Sequence, residues 1–136
     1  AEQKGFPLRL ITGARFQPYY ASSFRQFDTL RSVHPDAWAE MSAETAAKFG
    51  LDNGCSVWVE TERGRARFAV KISTMCEDVV SVEYGWWYPE MRQAEPDLGG
   101  LWIANAKVLT NADYEDSDPL IGTSAYNGLP CRVSRV

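Results

Sequence analysis

Histidine and cysteine are scarce in this chain, and each shortage removes a class of chemistry. The one histidine, His34, sits before Pro35. No Ser, Cys or Asp partner can be nominated to build a nucleophile–base pair around it, so a structural role is expected. The three cysteines, Cys55, Cys76 and Cys131, are widely separated and odd in number. No CxxC or Cys/His spacing occurs, so the pattern indicates neither a disulfide framework nor a zinc or iron–sulfur site. Cys55 and Cys131 lie in apolar strand-like contexts and read as small buried residues. Free thiols favour a reducing compartment. No apolar run approaches the ~20 residues of a membrane-spanning helix, so membrane insertion is not expected. The first residues, Ala1–Gly5, carry no signal-peptide pattern.

Positive charge is also short. Fourteen basic residues face eighteen acidic ones, for a net charge of −4. That balance argues against nonspecific nucleic-acid binding, which needs clustered cations. The acidic run Asp113–Pro119 lacks the glycine and the terminal glutamate of a calcium loop and reads as a solvated turn. No other metal site is indicated.

The chain's 136 residues suit a single domain. Roughly two thirds of the unfolded surface is buried at this size. Ser42 is a good N-cap for a helix over 43–49, with Gly50 as its stop. A tight turn over Leu51–Gly54 leads to a strand over 55–61. A Glu62-Arg63-Gly64 hairpin turn leads to a second strand over 65–72, whose Ala66, Phe68, Val70 and Ile72 share a face. Further strands are expected over 79–84, 107–109 and 131–134, and Trp38–Met41 alternates as a short strand. Six or seven short strands with one firm helix predict a mainly β, α+β domain, a small barrel with long loops.

The segment Pro7–Ser32, PLRLITGARFQPYYASSFRQFDTLRS, carries the strongest chemical signal. Leu8–Ile11 reads as a strand that breaks at Thr12-Gly13, a turn that lets an anion approach backbone N–H groups. Arg15, Arg25 and Arg31 are each able to pair with phosphate through two hydrogen bonds. Tyr19, Tyr20, Ser22 and Ser23 add neutral donors and flat surface. Residues 1–34 carry five cations against two carboxylates, and the remainder nine against sixteen. The local positive charge therefore falls on this segment, which suits a ligand with phosphates and rings. Two long loops, 85–100 and 111–130, hold or border Trp86, Trp87, Tyr88 and Trp102. These aromatics either fold back onto the core or form a flat-ring wall.

The ordered set TGAR, AETAAKFGL, NGCSVWVET, GWWYPE and IANAKVLT, closing on DPL and NGLPCRV, resembles one family. It is similar to the C-terminal dinucleotide-binding domain of molybdopterin oxidoreductases, the dimethyl sulfoxide reductase superfamily. The resemblance implies a six-stranded double-psi β-barrel with one or two short helices. It implies a domain that helps hold bis-molybdopterin guanine dinucleotide, with molybdenum or tungsten, jointly with other domains of a catalytic subunit. An iron–sulfur electron-transfer subunit is a further implied partner. By the same resemblance, Thr12, Gly13 and Arg15 would line the phosphate and pterin region, and Tyr20, Ser22 and Ser23 would follow as polar positions. Trp86 and Trp87 would flank the cofactor, and Asn105 would hydrogen-bond the pterin.

The chain departs from the family pattern in places. Ala14 separates Gly13 from Arg15 where the family often reads TGR. Ala21 and Ala106 stand where members often carry His or Asn, and Asn respectively. A near-terminal lysine of some members has no clear match, and Asn127 lies in its vicinity. The cluster-binding cysteines and the residue that supplies a metal ligand in the family lie outside such a domain, so the chain alone is not expected to be catalytic. A free-standing barrel subunit or interaction module is the alternative. A self-cleaving decarboxylase-like barrel would need a Gly-Ser site, and the sequence has none.

Overall fold

The structure, a computed structural model, describes residues 5–110, 118–121 and 127–136. Six strands close into one mixed barrel. In chain order they are β1 (Leu8–Ala14), β2 (Trp38–Met41), β3 (Ser56–Glu60), β4 (Arg65–Ile72), β5 (Val79–Glu83) and β6 (Asn127–Arg135). Around the barrel the order is β1-β5-β2-β4-β3-β6, with β6 returning to β1. The β1/β5 and β2/β4 pairs are parallel and the rest antiparallel. Closure leaves no open edge to template aggregation. This is the six-stranded double-psi barrel that the resemblance implied.

Alternation builds the core. Leu8 and Leu10, Ala39 and Met41, Val57 and Val59, and Val80 and Val82 point inward from their strands. Ala66, Phe68 and Val70 do the same from β4, and Cys131 and Val133 from β6. Burial pushes the Cys131 thiol up to about 12. The thiolate is thereby suppressed, so a thiol reagent at neutral pH is expected to modify exposed Cys76 at once and Cys131 only on unfolding. Rapid labelling of both in native protein would contradict this packing.

Among the described residues three short α-helices decorate the barrel: α1 (Asp28–Val33), α2 (Ala43–Lys48) and α3 (Leu101–Ala104). The Ser42 hydroxyl accepts from the Thr45 N–H at 3.1 Å, the expected cap, and Gly50 adopts φ +63° after the helix. Three expectations change. The last strand, expected over 131–134, begins at Asn127 inside the expected 111–130 loop, because Asn127, Leu129 and Pro130 pair with β1. β1 does not end at Thr12-Gly13 but continues to Ala14 through a bulge, its register with β5 slipping between Thr12 and Ala14. Lys107–Leu109 is not a strand but part of a 3-10 turn, Ala106–Leu109. The Asn105 side chain caps that turn by accepting from the Lys107 N–H, which overrides the strand tendency of Val108. Of the acidic run, 113–117 lies outside the described residues. Asp118 Oδ1 accepts from the Leu120 and Ile121 N–H groups, closing a turn.

The glycine pair before α3 is tightly held. Gly100 has φ +75°, and a Cβ there would stand 2.5 Å from Met91 Sδ and 2.8 Å from the Tyr88 ring. Gly100→Ala is therefore expected to lower stability by about 1–3 kcal/mol, the combined cost of strain and overpacking, read as a denaturant midpoint. A midpoint equal to that of the unsubstituted chain would show that this loop is loosely packed.

Candidate functional site

The bulge in β1 opens the site. Gly13 has φ +99°, a conformation that glycine adopts without steric cost. A Cβ built there meets nothing within 4 Å, so the outer side of the bulge is accessible to a ligand. The Thr12 N–H donates to Asn127 Oδ1 at 3.0 Å, tying the bulge to the start of β6. Beyond it stands exposed Arg15, its guanidinium 5.8 Å from the Tyr84 ring centroid. Thr12, Gly13, Arg15, Tyr84, Ala106, Lys107, Thr110 and Asn127 line a cleft of about 390 Å³.

A second cleft of about 360 Å³ adjoins it. Its lining includes Ser22, Tyr84, Gly85, Trp86, Trp87, Gln93, Asn105 and Lys107. Tyr84 and Lys107 belong to both, so the two clefts meet at that pair. Among the described residues neither lining contains an aspartate or glutamate, although acidic residues outnumber basic ones in the chain. Arg15 and Lys107 make the groove locally cationic.

The second cleft is held by close backbone packing. Gly85 has φ +76°, and a Cβ there would lie 3.1 Å from the Ser22 nitrogen and 3.2 Å from the Ala21 carbonyl carbon. The Trp87 indole donates to the Ser22 carbonyl. Asn105 Nδ2 donates to the Trp86 carbonyl at 3.0 Å, while Oδ1 accepts from the Lys107 N–H at 3.0 Å. An amide has two donors and two acceptor positions, so among the described residues it keeps one of each for a ligand edge. Asn105→Ala removes both internal bonds. It is expected to cost about 1–3 kcal/mol of stability as well as weakening ligand retention, because two partners lose their hydrogen bonds. Wild-type stability in this variant would assign Asn105 a ligand-only role.

A buried ionic cluster lies beneath. Glu83, at the end of β5, sets Oε1 3.5 Å from Arg25 Nη2 and Oε2 2.9 Å from His34 Nε2. Glu83 Oε2 also accepts from the Trp38 N–H at 3.0 Å. All three side chains are essentially inaccessible. The Arg25 guanidinium lies 4.6 Å from the Trp86 ring and 4.7 Å from Tyr19. Desolvation lowers the Arg25 pKa, and the Glu83 carboxylate opposes that shift. Burial likewise raises the Tyr19 hydroxyl pKa, and that hydroxyl donates to the His34 carbonyl at 2.7 Å. His34 stacks on Trp38 at 3.7 Å, which fits its expected structural role.

The residues singled out in the sequence divide accordingly. Thr12, Gly13 and Arg15 share the first cleft, and Ser22, Trp86, Trp87 and Asn105 the second. Tyr20 and Ser23 lie at an exposed turn, joined by the Ser23 N–H to the Tyr20 carbonyl at 2.8 Å, and belong to neither lining. Trp86 is fully buried, so its ring is core while its loop borders the cleft. Arg25 is not a surface phosphate contact but a buried charge, and Arg31 pairs through both nitrogens with Glu90 at 2.9 Å. Tyr84, Gly85, Lys107 and Asn127 were not selected from the sequence. The lone cation inside IANAKVLT was the available signal for Lys107.

No group of three His, Cys, Asp or Glu gathers as a metal site among the described residues. The groove instead offers backbone at a glycine bulge, two cations, an amide and aromatic surface. That donor set fits a ligand bearing phosphates and a polar heterocycle.

Comparison with known proteins accords with this chemistry. Residues 8–130 match the family model described as the Molydopterin dinucleotide binding domain. The chain is 36% identical over 131 residues to a dopamine dehydroxylase of Eggerthella lenta, covering 96% of this chain and 12% of that protein. It is 30% identical over 128 residues to an acetylene hydratase of Syntrophotalea acetylenica, covering 92% of this chain and 17% of that protein. A solved structure of acetylene hydratase from Pelobacter acetylenicus superposes with a TM-score of 0.89 at 27% identity, covering 98% of this chain and 19% of that one. The chain thus spans less than a fifth of each of these relatives.

Proposed function

Since the chain belongs to the molybdopterin dinucleotide binding domain family, we propose that its groove clasps one side of a bis-molybdopterin guanine dinucleotide carrying molybdenum or tungsten. The parent protein is then a molybdopterin-dependent oxidoreductase. Residues 1–136 form one domain of its catalytic subunit, an assignment supported by the small share of each relative that the chain covers. Other domains of that subunit hold the cofactor's opposite side, and an iron–sulfur electron-transfer subunit is a further partner.

The observation that carries this reading is the two-lobed groove with Gly13 open at one end, Lys107 at the seam, Arg15 beside them and no carboxylate among its described lining residues. Bound there, the cofactor supplies the redox chemistry. The chain's own residues bind and orient. Arg15 and Lys107 neutralise phosphate charge, with the bulge at Gly13 giving the anion close approach to backbone. Asn105 offers one N–H and one lone pair to a heterocycle edge. Trp87 and Tyr84 border the rings and limit water. One relative is named for dehydroxylation and the other for hydration. That difference supports placing the choice of reaction outside this domain.

Metal and pterin analysis of the full-length native protein tests the reading. Molybdenum or tungsten together with guanine-bearing pterin is expected. Protein that contains neither, when produced in a host able to make the cofactor, would contradict it.

A further inference from the structure

We infer that Arg25 is a positioning residue that sets the Ser22 wall of the second cleft against the Tyr84–Trp87 wall. The inference rests on the function proposed above for what the cleft holds, but the geometry stands by itself. Arg25 reaches back to donate through Nη1 to the Ala21 carbonyl, and its Nη2 faces Glu83 Oε1 at 3.5 Å. Ala21 is therefore gripped from within its own turn, and Glu83 immediately precedes Tyr84 and Gly85. The same guanidinium covers the Trp86 ring at 4.6 Å. One side chain thus touches both segments whose packing, Gly85 against Ala21–Ser22, shapes the cleft.

The turn needs such a grip. Ala21 and Phe24 adopt φ +49° and +78°, a left-handed conformation that non-glycine residues avoid unless held. The Trp87 bond to the Ser22 carbonyl depends on that conformation, because it is the backbone oxygen that is presented. A core arginine serving only to neutralise Glu83 would not need to bind Ala21. Charge and geometry therefore separate experimentally. Lysine keeps the positive charge but lacks the guanidinium fork that spans two acceptors.

The test uses Arg25→Lys in the full-length protein, with Arg25→Met alongside. Hydrogen exchange is followed by mass spectrometry in peptides covering 19–25 and 84–88, with the β3–β4 hairpin as internal reference. In Arg25→Lys, exchange is expected to rise roughly tenfold in those two segments, the effect of losing one charge-assisted hydrogen bond, and to stay unchanged in the hairpin. Cofactor is expected to dissociate correspondingly faster. Unchanged exchange in both segments, or a rise spread equally over the hairpin, would overturn the inference. If Arg25→Met fails to fold, the lysine variant still decides. Wild-type protein without any pterin would remove the proposed cofactor while leaving the exchange result to judge the clasp.

Discussion

Glu83→Gln is expected to destabilise the protein by about 3–5 kcal/mol, the range for breaking a buried ion pair by removing one partner. The carboxylate is 1% exposed and faces Arg25, His34 and the Trp38 N–H together. The amide leaves the Arg25 charge buried without compensation and turns an N–H donor toward groups that already donate. Native stability of a domain is of order 5–15 kcal/mol, so this one substitution removes a large share of it. Urea unfolding measures the effect. The double variant Arg25→Met/Glu83→Gln completes the cycle and is expected to recover part of the loss, because no arginine charge then remains buried unpaired while the amide oxygen at position 83 still accepts from the Trp38 N–H. A loss below about 1 kcal/mol for Glu83→Gln would mean that water reaches the cluster.

Removing both groove cations is expected to have the largest effect on cofactor retention. Arg15→Ala alone removes a charge-assisted contact of about 1.5–3 kcal/mol, roughly ten- to hundredfold in affinity. Lys107→Ala acts at the seam and is expected to add to it. Neither side chain belongs to the core, so the unfolding midpoint of the double variant is expected to stay within about 0.5 kcal/mol of wild type. Pterin content per protein, assayed after gel filtration of the full-length protein, separates the two readouts. Full retention in the double variant would remove Arg15 and Lys107 from the site.

Much of the barrel was legible because its signals are local. The Ser42 cap, the Gly50 stop and the alternation of Ala66, Phe68 and Val70 each depend on a few neighbouring residues. The strand over Trp38–Met41 was legible from the same alternation. What escaped depended on partners far along the chain. Arg25 looks like an exposed phosphate binder until Glu83, on a different strand, buries it. Gly13 looks like a strand end, yet pairing with β5 carries the strand past it as a bulge. Val108 suggests a strand, but the Asn105 cap sets a 3-10 turn instead. The site was half legible for the same reason. Thr12, Gly13 and Arg15 are adjacent in sequence. Lys107 and Asn127 join them only because the chain's return brings the 3-10 turn and β6 beside β1.

A structure of the cofactor-loaded parent protein tests the central claim most directly. The account predicts phosphate oxygens within about 3 Å of the Gly13–Arg15 backbone and side chain, with a heterocycle edge against Asn105 and Trp87 beside it. Cofactor density elsewhere in the protein, with solvent filling the groove between Gly13 and Trp87, would contradict it.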